Sequence, residues 1–167
     1  MATTLILGGA RSGKTSLALR RAEAGPARPV MIATAEALDA EMAERIARHR
    51  AERGPDWRTV EAPLALAEAL EGLAKDEIAV VDCLTLWLSN LMHAGRDPEA
   101  ETLGLIKALA GREVILVSNE VGLGIVPEHP LGRRFRDAAG RMNQALAAAA
   151  DNALFVVAGL PLVLKGG

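Results

Sequence analysis

The chain has 167 residues, half of them hydrophobic and 24% charged, with a formal net charge of −2 and a single cysteine. This length suits one domain with a full core, and so small a net charge leaves no field to recruit nucleic acid or an anionic membrane. The lone Cys83 excludes an internal disulfide and fits a reducing cytoplasm. Its only aromatic residues, Trp57, Trp87, Phe135 and Phe155, are too few for base-stacking platforms along single-stranded nucleic acid. No basic segment leads into a long apolar run, and no stretch approaches the roughly 20 apolar residues that span a bilayer. Neither a signal peptide nor an integral membrane segment is therefore expected.

Residues 3–8 (TTLILG) read as a short buried strand. Gly8-Gly9-Ala10-Arg11-Ser12-Gly13-Lys14-Thr15 follows it and opens a helix over 14–23, which Gly25-Pro26 and Pro29 end. Residues 30–33 read as a second strand. Residues 36–53 carry a strong helical pattern that Gly54-Pro55 terminates. A helix is expected over 63–73 with Pro63 at its start, then a buried strand over 78–82 closing on Asp82. Helices over 84–93 and 98–110 flank the turn Gly95-Arg96-Asp97-Pro98, and a strand follows over 113–118. A glycine-containing loop, Val121 to Pro130, leads to a long helix over 131–150. A strand at 155–158 and an edge piece at 162–164 complete the pattern. Five or six short apolar strands alternating with helices imply βαβ units. The expected fold is a three-layer α/β domain with a mostly parallel sheet, occupying 1–167 as a single unit.

The motif G-x-x-x-x-G-K-T between strand and helix is that of a phosphate-binding P-loop. Its glycines let the backbone curl so that successive N–H groups face phosphate oxygens, and the helix N-terminus adds partial positive charge. Lys14 is placed to reach the β- and γ-phosphates and Thr15 to ligate Mg²⁺. An acidic residue at a neighbouring strand end usually completes such a site. Asp82 and Glu120 both fit that position; either could instead be a helix cap or a loop residue.

On a helical wheel, Leu38, Met42 and Ile46 share one face of the 36–53 segment. Arg45, His49 and Arg53 fall on or beside the same stripe. Two arginines and a histidine on an apolar seam point to a polar, anion-holding cleft. A neutral imidazole there is a competent nucleophile toward phosphorus, although a solvated or structurally satisfied histidine fits the residues as well. His93 reads as a helix-end residue and His129 as a loop residue.

Beyond the P-loop, the chain closely resembles the bifunctional adenosylcobinamide kinase / adenosylcobinamide-phosphate guanylyltransferase family of cobalamin biosynthesis. The resemblance runs through Ile32 to Arg50 (IATAEALDAEMAERIARHR), Trp57 to Glu61, Val80 to Leu91 (VDCLTLWLSNL), Ser118 to Gln144 (SNEVGLGIVPEHPLGRRFRDAAGRMNQ) and Ala158 to Lys165 (AGLPLVLK). It implies a RecA-like P-loop domain that forms a homotrimer. It also implies two reactions. ATP or GTP phosphorylates the aminopropanol hydroxyl of adenosylcobinamide. GTP then transfers GMP to an enzyme histidine, and the phosphoramidate passes GMP to adenosylcobinamide phosphate to give adenosylcobinamide-GDP.

The resemblance makes His49, in Arg45-Ile46-Ala47-Arg48-His49-Arg50, the guanylylated residue, with Lys14 as its catalytic partner on the phosphates. It implies nucleotide contacts from Gly8, Gly9, Ala10, Arg11, Ser12, Gly13, Lys14 and Thr15. Further contacts are implied from Thr34, Ala35, Glu36, Arg50, Ala51, Glu52, Arg53, Glu61 and Asp82. Thr15 and Asp82 would hold the metal. Thr15 stands where serine is common and Asp82 where some relatives have glutamate, which preserves each oxygen donor. One site could serve both reactions if the 36–53 helix moves, with Gly54-Pro55 and the residues before Thr34 as hinges. The loop from Val121 to Pro130 is expected to wall the corrinoid cleft, so that replacing Gly122 and Gly124 together by Ala raises the KM for the corrinoid far more than that for GTP. Two other readings fit the P-loop without the histidine chemistry: a single-function kinase of a small metabolite, and a non-catalytic nucleotide-dependent corrinoid-binding module. A DNA-dependent ATPase is disfavoured by charge and aromatic scarcity.

Overall fold

Alternate residues of the central strands point to opposite faces of the sheet, and both faces are buried. Leu5, Leu7, Val30, Ile32, Ala79, Val81, Val114 and Leu116 join one core, while Ile6, Met31, Ile78, Val80, Ile115 and Val117 join the other. Continuous apolar runs such as LIL and VILV therefore need no polar alternation, as expected of parallel strands covered on both sides. The computed structural model describes residues 1–35 and 54–166. Its strands are β1 (Thr3–Gly8), β2 (Arg28–Ala33), β3 (Arg58–Glu61), β4 (Glu77–Asp82), β5 (Glu113–Asn119), β6 (Asn152–Val157) and β7 (Leu160–Lys165). They form one sheet in the order β3-β2-β4-β5-β1-β6-β7. Every pairing is parallel except β6 with β7.

The helices among the described residues are α1 (Lys14–Glu23), α2 (Leu66–Glu71), α3 (Leu84–His93), α4 (Pro98–Ala108) and α5 (Pro130–Ala149). Ala18 and Ala22 of α1 pack into the second core. Leu66, Leu70, Trp87, Leu88, Leu91, Leu105, Met142 and Leu146 of the other helices fill the first. This gives the three layers expected. Trp87 is 1% exposed, and its indole N–H is satisfied by the Leu64 carbonyl at 3.0 Å. Emptying a core position of this kind costs about 2–5 kcal/mol. At α4, Asp97 caps through the Glu99 N–H and Pro98 occupies the first helical turn, the pattern read from the turn preceding it.

Some boundaries differ from the sequence reading. β3 is not announced by the sequence, because three of the four residues of RTVE are polar and none is fully covered at the sheet edge. The helix expected from Pro63 begins at Leu66, since Leu64 spends its carbonyl on Trp87 and on the Leu66 N–H. β6 begins at Asn152, three residues before the apolar run that announced it. The 162–164 edge piece is the longer antiparallel strand β7. The helix expected over 36–53 lies outside the described residues.

Candidate functional site

The P-loop leaves β1 at Gly8 and enters α1 at Lys14. Gly13 caps the helix with φ 98° and no side-chain cap, so the first N–H groups of α1 remain available to an anion. Gly8 is fixed by crowding: a Cβ there would stand 2.4 Å from the Val156 carbonyl oxygen. Arg11 adopts a left-handed backbone at φ 54°, a conformation costly for a residue with a side chain and usually retained at functional turns.

Lys14 is the buried cation of the loop. Its Nζ donates to the Gly9 carbonyl at 2.6 Å and lies 3.5 Å from Ser12 Oγ. Burial lowers its pKa, while the Cys83 and Asp82 side chains oppose that shift. A phosphate placed in the loop would restore favourable charge pairing to this ammonium.

Asp82 ends β4, and its Oδ2 accepts from the Thr15 hydroxyl at 3.2 Å. A hydroxyl and a carboxylate therefore meet at the mouth of the loop, the hard-oxygen pair that Mg²⁺ uses together with phosphate and water. Thr34, at the end of β2, is fully buried. Its hydroxyl donates to the Cys83 carbonyl at 2.8 Å and accepts from the Cys83 N–H at 3.0 Å. Its carbonyl accepts from Asn90 Nδ2, which also donates to Pro63. Thr34 thus ties the end of β2 to the turn that carries Asp82.

Ala35 follows Thr34, half-buried. Glu61 stands exposed at the end of β3, in register with Ala33, which is itself in register with Asp82. Glu120 is drawn into its own loop: its Oε1 accepts from the Gly122 N–H at 2.8 Å. Its backbone N–H donates to the Gly8 carbonyl. The structure thus brings together Gly8 to Thr15, Thr34 and Asp82. Glu36, His49, Arg50, Ala51, Glu52 and Arg53 lie outside the described residues, as does Arg45.

Three supports were not legible in the chain. Asn90 is one. Thr85 is another; its hydroxyl accepts from the Asn119 N–H at 2.7 Å. The third is the β6–β7 turn, where the Gly159 N–H donates to the Ser12 carbonyl at 2.9 Å and Gly159 Cα would lie 3.3 Å from a Cβ on Gly13. The Ala158-Gly159-Leu160-Pro161 stretch belongs to the resembling segments, but only topology reveals that it presses on the P-loop.

The profile of the family described as cobinamide kinase / cobinamide phosphate guanyltransferase matches residues 4–164. The chain belongs to that family. Within it, the chain is 51% identical to the bifunctional adenosylcobalamin biosynthesis protein CobP of Pseudomonas aeruginosa, over 97% of this chain and 96% of the relative. It is 42% identical to the corresponding CobU of Escherichia coli strain K12, over 96% and 98%. Among solved structures, the flagellar accessory protein FlaH from Methanocaldococcus jannaschii superposes with a TM-score of 0.56 at 11% identity, covering 99% of this chain and 79% of that one. The RadB recombinase gives 0.54 at 16% identity, covering 92% and 73%. These likenesses establish the RecA-like fold of the family member and carry nothing about its substrates.

Proposed function

We propose that this chain performs both reactions of its family: phosphorylation of adenosylcobinamide by ATP or GTP, and transfer of GMP from GTP to adenosylcobinamide phosphate. The observation that carries this reading is the P-loop itself, with Lys14 buried behind it and the Thr15–Asp82 pair at its mouth, in a chain whose family is named for those two activities.

Both reactions depend on in-line geometry and charge neutralisation. The N–H groups at the start of α1 and the Lys14 ammonium would hold the triphosphate. In the kinase reaction they stabilise the γ-phosphoryl as it moves to the corrinoid hydroxyl. In the second reaction they receive pyrophosphate while His49 attacks the α-phosphorus. Arg45, Arg50 and Arg53 would neutralise charge around the phosphoramidate, and Thr34, Ala35, Glu36, Ala51, Glu52 and Glu61 complete the nucleotide contacts. Mg²⁺ held by Thr15 and Asp82 would supply charge neutralisation on the phosphate oxygens. In this reading the whole chain acts as one domain in the cytoplasm, and no helix among the described residues is long and apolar enough to cross a membrane. The homotrimer that the resemblance implies would cover β7, an edge strand whose Leu160, Leu162, Val163 and Leu164 are all exposed, an arrangement that favours association without fixing the number of copies.

Incubation with α-³²P-GTP tests the reading. Wild-type protein should take up an acid-labile, alkali-stable label that His49→Ala lacks. An unlabelled wild type would remove the guanylyltransferase and leave a single-function kinase.

A further inference from the structure

A cavity lies among the helices of the first core, on the face of the sheet opposite α1. It occupies about 580 Å³ between the C-terminal end of α3 and the start of α5. These helices follow β4, which ends in Asp82, and β5, which lies next to β1 in the sheet. Met92, Leu131 and Phe135 supply apolar walls, and Ser89, His93 and His129 the polar groups. No residue lining it carries a carboxylate, ammonium or guanidinium, so it does not suit a phosphate. The loop before α5, which ends at the cavity residues His129 and Pro130, holds Leu123, Ile125 and Val126 exposed, Ile125 at 98%. Arg133 braces that loop by donating to the Pro127 and Glu128 carbonyls at 3.0 and 2.5 Å.

His93 has a defined tautomer. Its Nδ1 is 2.7 Å from the Ser89 carbonyl oxygen. A carbonyl can only accept, so Nδ1 carries a proton, and whenever the ring holds one proton Nε2 presents a lone pair. A backbone carbonyl fixing one ring nitrogen so that the other can serve as acceptor or ligand is a recurrent arrangement.

We propose that this cavity and its apolar rim seat the corrinoid macrocycle, with Met92, Leu131 and Phe135 against the ring and His93 Nε2 accepting from an amide N–H of the ring's side chains. The proposal rests on the cobinamide reading above. A large, flat, amide-rimmed ligand exceeds the usual small-molecule cavity of about 300–1,000 Å³, so only part of it enters. The exposed loop residues then cover part of the remainder. The occupant is uncharged along this face, matching the uncharged lining.

Equilibrium binding of adenosylcobinamide, followed by absorbance, tests this on wild type, His93→Ala and Leu131→Asp. The α-³²P-GTP label, which needs no corrinoid, reports on the integrity of each variant. Each substitution should weaken corrinoid binding about tenfold or more, the loss of roughly 1.4 kcal/mol, while the label persists. Wild type that binds the corrinoid with both variants unchanged overturns this site alone and leaves the two-reaction reading standing. Wild type that takes the label but binds no corrinoid overturns both. If Leu131→Asp changes the oligomeric state and leaves corrinoid affinity intact, the face belongs to a second copy of the chain and the proposal falls.

Discussion

The loop after β1 and the loop after β5 leave neighbouring strands at the same end of the sheet, joined where the Glu120 N–H donates to the Gly8 carbonyl at 3.0 Å. The first loop is built inward. Its backbone is forced at Gly13 and crowded at Gly8, its lysine is buried, and the β6–β7 turn presses on it from outside. The second is built outward, with Leu123, Ile125 and Val126 in the open. A phosphate is read by convergent N–H groups that must be held in place before it arrives. An apolar macrocycle needs area rather than aim. The contrast divides the labour of one enzyme between two adjacent loops, and each half can be broken separately.

The largest effect is expected at Lys14. Lys14→Met keeps the apolar stem and removes the ammonium, so both the kinase rate and the GTP label should fall about 10²–10³-fold. Adenosylcobinamide affinity should stay within a few-fold of wild type. Initial rates with both substrates saturating, beside corrinoid binding, check this; a parallel loss of corrinoid affinity would erase the division between the loops.

A smaller effect, and one confined to stability, is expected at the opposite end of the sheet. Glu77 at the start of β4 accepts from Arg58 at 2.9 and 3.2 Å and from the Ala74 N–H at 2.9 Å. Burial pushes its pKa up, but these hydrogen bonds and the arginine charge outweigh it, and the net shift is down. A carboxyl lowered in the folded state contributes stability above the unfolded glutamate's value of about 4.3. That contribution is lost as pH falls through the lower folded value. Because Arg58 is half exposed, the pair is worth little more than about 1 kcal/mol. Glu77→Gln should lower the unfolding free energy by about 1 kcal/mol at pH 7 and flatten the acid limb of the stability profile, with the GTP label unchanged. An acid limb identical to wild type would remove the assigned role.

What the chain disclosed follows from how each element is stabilised. β1, β4 and β5 are apolar on both faces, so hydrophobicity alone announces them. β3 is held by backbone pairing to β2 and by the Arg58–Glu77 contact across β2, and a long-range ion pair leaves no local pattern. The P-loop was legible because its chemistry needs fixed residues at fixed spacing. The pressure of Gly159 on Ser12, and the clasp of Thr34 on Cys83, join segments 147 and 49 positions apart; no local reading could pair them. His49 stood out through the basic stripe it shares with Arg45 and Arg53, a pattern that a structurally satisfied histidine fits as well, and only the family-specific segments gave it the nucleophile's role.

The smallest effect is expected where the sequence promised a large one. Gly122 and Gly124 sit in the outward loop, and taking that loop as the corrinoid wall predicts a large effect from their joint replacement by Ala. Neither adopts the left-handed backbone that would oblige it to be glycine. A Cβ on Gly124 meets nothing within 4 Å, and one on Gly122 meets only Glu120 Oε1 at 3.0 Å, the end of a flexible side chain. The double variant should therefore alter the KM for either substrate by no more than about threefold, well under the factor of ten that corresponds to roughly 1.4 kcal/mol. In the P-loop, by contrast, Ala at Gly8 would drive a Cβ to 2.4 Å from the Val156 carbonyl oxygen, and backbone cannot yield as a carboxylate can. Steady-state KM values for GTP and adenosylcobinamide on the double variant decide the matter. A selective rise of tenfold or more in the corrinoid KM would mean that the loop closes on its ligand through conformations that only glycine permits, and the outward loop would then be as constrained in action as the inward one.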